Sequence, residues 1–153
     1  PLVAAYVPGA LIVDRTAIES RAAADGSIFV ISDRKRDIEL PGITIRSRKG
    51  AGPLDADRPF VGGLFLSSTA RAWLDNMGAS RRRNGEVSRT LSREELEGRL
   101  DDVVRRGGME ALNAIRDDAR RIAPLLDRDK EFEALDRRLQ VLRGKVGVPL
   151  NHR

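Results

Sequence analysis

The chain contains no cysteine and a single histidine, His152, beside its C-terminus. The first absence excludes a disulfide framework, a cysteine-bound zinc cluster and a thiol nucleophile. The second excludes histidine triads and histidine-rich metal sites. Aromatic residues are only 4% of the sequence, so stacking platforms for nucleic-acid bases are scarce. No apolar run approaches the ~20 residues of a membrane span, and no signal peptide is visible. The expected compartment is the cytoplasm, with no membrane partner. Lysine is also sparse: only 4 of the 28 basic residues are Lys, and the rest are Arg.

What remains is a 153-residue chain, 41% apolar and 33% charged, with a net charge of +5. That is globular composition, long enough for one ordinary domain with a real core. The charge comes from many residues of both signs spread along the chain.

Leu2, Val3 and Tyr6 have the spacing of an apolar helical face that stops at Pro8-Gly9. With no initiating Met, this reads as the last turns of a helix, and the chain as part of a longer protein. A short apolar run, residues 10–13, leads to Asp14, a good N-cap for a helix over 14–21. The β-branched and aromatic run 27–32 predicts a buried strand. Ile43-Thr44-Ile45-Arg46 alternates strictly and is expected to form a hairpin with Ile38-Glu39-Leu40 around Pro41-Gly42. Residues 48–59 are turn-forming, and Leu64-Phe65-Leu66 is another short strand.

From Ser68 onward the apolar period changes to about 3.6. Ala70, Trp73, Leu74 and Met77 share a face, with Ser67 or Ser68 placed to cap it. Ser92-Arg93-Glu94-Glu95 is a capping box before the stripe Leu96, Leu100, Val103, Val104, which stops at Gly107-Gly108. Met109 to Ile122 predicts a third helix closed by Pro124. Phe132, Leu135, Leu139 and Leu142 predict a fourth, ended by Gly144. The expected fold is α+β: a small mixed sheet in a strand-rich part, residues 1–78, then a helix-rich part, residues 90–145. The two parts are expected to form one domain over 1–145, with 146–153 as a tail.

No constellation of residues carries a reaction. Asp33, Asp37 and Glu39 cluster as a restriction-type nuclease site would, but the Lys expected after Glu39 is absent. Asp55 and Asp57 lie in a loop, and Asp117 is expected to pair with Arg121 on a solvated helix face. Gly50-Ala51-Gly52 lacks the helix that a phosphate-binding loop requires. Ser67-Ser68-Thr69 has no general base and is read as capping. No catalytic residue, cofactor site or metal site is therefore assigned. The basic clusters Arg34-Lys35-Arg36, Arg46/Arg48/Lys49 and Arg81-Arg82-Arg83 are candidate contacts for phosphates or nucleic acid.

Three stretches carry a resemblance. Val7-Pro8-Gly9-Ala10-Leu11-Ile12-Val13-Asp14-Arg15-Thr16-Ala17-Ile18-Glu19 resembles the start of AbiEi-type antitoxin domains. Gly63-Leu64-Phe65-Leu66-Ser67-Ser68-Thr69-Ala70-Arg71-Ala72-Trp73-Leu74-Asp75-Asn76 is similar to that group's strand and following helix. With Glu39 to Arg46 and Arg89 to Glu94, the order over residues 2–145 resembles the region preceding the catalytic domain of bacterial Fic proteins, which transfer AMP. The resemblance implies a non-catalytic regulatory or protein-interaction domain whose partner is a Fic catalytic domain or a cognate toxin. The alternative is part of a DNA-binding transcriptional regulator of the autorepressing antitoxin type. The Fic signature is absent from these residues, as is the winged helix found upstream in AbiEi-like proteins. Fic proteins are often inhibited by a Ser/Thr-x-x-x-Glu-Gly/Asn helix. Ser92 to Gly98 comes near that pattern with one extra residue, which makes Glu97 the candidate inhibitory side chain.

Overall fold

The computed structural model describes residues 2–78 and 85–147. The fold is α+β, with a six-stranded mixed sheet in the first half and long helices in the second.

Helix α1 (Leu2–Tyr6) ends ahead of Gly9, whose φ of 76° lets the chain reverse into strand β1 (Leu11–Ile12). Helix α2 (Asp14–Glu19) follows, then β2 (Ser27–Ile31), β3 (Ile38–Leu40) and β4 (Ile43–Arg48). The hairpin expected around Pro41-Gly42 is present, with Leu40 opposite Ile43 and Ile38 opposite Ile45. Strands β5 (Arg58–Pro59) and β6 (Phe65–Leu66) flank a 3-10 turn at Val61–Gly63. The sheet order is β3-β4-β2-β1-β6-β5. Strands β2 and β4 run parallel, as do β1 and β6, and the other neighbours are antiparallel.

Side-chain alternation gives the sheet two different faces. Ile12, Val30 and Ile45 pack with Ala4, Val7 and Leu64 under α1. The register β2–β4 puts Ser27, Phe29 and Ile31 opposite Thr44, Arg46 and Arg48 on the other face.

Ser68 caps helix α3 (Thr69–Asn76), its hydroxyl accepting the Arg71 N–H at 3.2 Å. Helix α4 (Arg93–Ile122) opens with the expected capping box: the Glu95 N–H donates to Ser92 Oγ, and Glu95 Oε1 accepts the Ser92 N–H. The break foreseen at Gly107-Gly108 is a kink, with Gly108 at φ 63° and ψ −158° and helix on both sides. A 3-10 turn (Ala123–Leu126) contains Pro124 and leads to helix α5 (Asp129–Gly147). That helix runs through Gly144, contrary to the expected stop there, and takes in residues 146 and 147 of the expected tail. Trp73, Leu74, Leu96, Leu100, Leu112, Ile115, Ala119, Leu135 and Leu139 form the helical core.

Candidate functional site

A buried junction of arginines and carboxylates joins sheet and helices. Asp14 is only 1% exposed and sits at φ 56°, a backbone conformation rare outside glycine. It is not the N-cap the sequence suggests; α2 has no side-chain cap, and the Asp14 carboxylate turns inward instead. Arg48 grips it with two bonds, Nε to Oδ2 at 3.1 Å and Nη2 to Oδ1 at 3.0 Å. Arg89 Nε adds a third at 2.7 Å, and its guanidinium lies 4.8 Å above the Phe29 ring.

Asp75 of α3 completes the junction. Arg48 Nη2 and Arg128 Nε each lie 3.3 Å from it, and Arg71 Nε lies at 3.9 Å. Burial, then the Asp14 charge, push the Asp75 carboxyl above its ordinary value against the pull of three arginines. Arg71 itself, 1% exposed, donates to Asp57 Oδ2 at 2.8 Å and to the carbonyls of Ala51 and Gly52. Asp57 also accepts the N–H groups of Leu54 and Ser68, so it pins the 51–57 loop to the start of α3. The 51–57 loop and Arg71 were legible only as a turn and a helix residue, because their partners are far apart in sequence.

The candidate phosphate contacts divide. Arg46 and Arg48 are spent internally: Arg46 bonds Asp37 at 2.7 Å and Ser27 Oγ at 2.8 Å, and Arg48 holds Asp14. The alternation that predicts β4 also aims both at a covered sheet face, so neither is free to meet a phosphate. Arg34, Lys35, Arg36 and Lys49 are exposed, on the two loops that leave β2 and β4 at the same end of the sheet. Arg34 spends one N–H on the Tyr6 carbonyl at 3.3 Å. Arg81, Arg82 and Arg83 lie outside the described residues.

The remaining expectations resolve locally. Ser67 Oγ donates to the Ile12 carbonyl, and Arg121 pairs with Asp118 at 2.9 Å, three residues back, not with Asp117. Among the described residues no group of three or more His, Cys, Asp or Glu side chains is placed to hold a metal ion. No helix among them is long and apolar enough to cross a membrane.

A groove of about 660 Å³ lies between the first part of α4 and the second part of α5. Met77, Leu100 and Leu142 floor it, and Val141, 61% exposed, stands on its rim. Four cations border it (Arg93, Arg137, Arg138 and Lys145) against two acids, Glu97 and Asp101. Glu97 is thus placed at the groove, 3.7 Å from Arg138 Nη1. The apolar stripe that predicts α5 faces elsewhere: Leu135 and Leu139 are fully buried in the core.

Compared with models of protein families, with curated proteins and with solved structures, the chain matches none.

Proposed function

We propose that this chain is a non-catalytic regulatory domain that binds another protein, as the AbiEi-like resemblance implies for the region preceding a Fic catalytic domain. The observation that carries the reading is the α4–α5 groove. Its apolar floor with a rim of four cations and two acids suits an amphipathic helix whose polar flank is acidic. Glu97 then serves as a rim charge of the partner site. The buried carboxylates support the non-catalytic side of the reading. Asp14 and Asp57 are committed to arginines that hold the fold together, and Asp75 is enclosed by three. The partner is a Fic-type catalytic domain or a cognate toxin. The test is sedimentation of the chain with a Fic-type catalytic domain and with a candidate toxin. A complex that Val141→Glu weakens supports the reading. Unchanged sedimentation together with unchanged AMP transfer or toxicity contradicts it.

A second reading, attachment to duplex DNA, rests on the gathering of Arg34, Lys35, Arg36 and Lys49 at one end of the sheet. It expects duplex retention that falls steeply with salt and is reduced by Lys35→Gln with Lys49→Gln, because neutralised phosphates release counterions. No retention at low salt removes it.

A further inference from the structure

A second concavity, a cleft of about 340 Å³, lies where α2, β5, α3 and α4 meet. Arg58 reaches it from the edge strand β5, and Arg99 and Arg106 reach it from α4. None of the three side chains has a hydrogen bond or ion pair among the described residues. That sets them apart from the arginines of the junction, each of which is taken by a carboxylate or a carbonyl. One acid, Asp102, lines the cleft, and its charge is met by Arg105 on the same helix. The excess is therefore close to three positive charges at one concave place. Unpaired guanidinium groups converging from separate elements repel one another unless an anion lies between them.

We propose that this cleft binds a small polyphosphate-bearing molecule, such as pyrophosphate, triphosphate or a nucleoside di- or triphosphate. Arg99 and Arg106 are seven residues apart before the kink at Gly108, hence on one face and about 10 Å apart along the axis. A row of linked phosphates spans that distance better than one phosphate, and guanidinium groups match phosphate oxygens as paired donors. The hydroxyls of Thr69 and Ser20 add neutral donors to the walls. Trp73 is 3% exposed and forms the floor, so it offers no free face for stacking a base. This disfavours single-stranded nucleic acid as the occupant.

Trp73 is the only tryptophan of the chain, so its fluorescence reports occupancy directly. The experiment titrates the whole chain with pyrophosphate, tripolyphosphate, orthophosphate, a nucleoside triphosphate and a short single-stranded oligonucleotide, with calorimetry in parallel. The expected result is saturable binding of the linked phosphates, with orthophosphate much weaker. Arg99→Gln and Arg106→Gln should each weaken binding by about tenfold or more. Lys49→Gln, outside the cleft and beyond β4, which three strands separate from β5, should leave it unchanged. Equal affinity for tripolyphosphate and the nucleoside triphosphate assigns recognition to the phosphates; tighter binding of the nucleotide adds a base contact, and both sustain the proposal. No saturable binding overturns it, as does binding indifferent to the Arg99 and Arg106 substitutions, or arginine-dependent capture of the oligonucleotide alone. Circular dichroism melts confirm that each variant is folded, and Arg58→Gln on the edge strand supplies an independent variant if either helix substitution is not.

Discussion

Asp14 and Arg89 meet at 2.7 Å across 75 residues of chain, one at the start of α2 and the other in the segment leading to α4. Through Arg48 and Asp75 the same contact reaches β4 and α3, and through Arg128 it reaches the foot of α5. Sheet and helices are thus tied by charges, not only by apolar packing.

Asp14→Ala leaves Arg48 and Arg89 facing each other without their shared counter-charge. Removing one member of a buried ion cluster costs about 3–5 kcal/mol. Urea unfolding followed by circular dichroism is expected to show a loss in that range. A change below about 1 kcal/mol would mean that the guanidinium groups are solvated in the native state.

Gly26 has φ 84°, and a Cβ built there would lie 2.5 Å from the Gly42 carbonyl oxygen. Gly42 has φ 77° but open space around it. Both alanine variants carry backbone strain of about 1–2 kcal/mol, and only Gly26→Ala adds a backbone clash. Gly26→Ala should therefore unfold at clearly lower denaturant than Gly42→Ala. Equal midpoints would contradict the close approach of the two turns.

Two carboxyls act on pH dependence with opposite sign. Burial acts to raise the Glu95 carboxyl, but the Ser92 N–H and the Arg15 charge outweigh it, so its value is lowered. Its contribution is present above the unfolded carboxylate value of about 4.3 and is lost as pH falls through the lower folded value. Asp75, raised by burial, favours the fold when protonated and loses that contribution as pH rises through its folded value. Ser92→Ala should lower stability by about 1 kcal/mol at neutral pH. It should also flatten the acid limb of a plot of urea midpoint against pH. An unchanged acid limb would show that the capping box does not set the Glu95 value.

Leu139 and Val141 lie two residues apart on α5, one in the core and one 61% exposed at the groove. Leu139→Ala is expected to cost about 2–5 kcal/mol, and Val141→Ala no more than about 0.5. Comparable losses would mean that α5 docks on a different face.

Elements with local signals were legible in the sequence. The hairpin at Pro41-Gly42, the Ser68 cap, the Ser92–Glu95 box and the break at Gly108 depend on residues within a few positions of each other. The junction does not. Asp14 looks like a cap, Arg48 like a surface cation and Asp57 like a loop residue, because each is defined by a partner 14 to 75 residues away. Strand β4 shows why Arg46 and Arg48 look like free cations in the sequence: alternation says which residues share a face, not whether that face is covered. The groove beside Glu97 and the cleft around Arg99 depend likewise on where helices cross, which periodicity within one helix does not encode.

The most direct test of the proposed function is hydrogen–deuterium exchange on the chain alone and mixed with the proposed partner, a Fic-type catalytic domain or a toxin. The account predicts new protection confined to residues 93–101 and 137–145, the two walls of the groove. Protection elsewhere, or none at saturating partner, would contradict it.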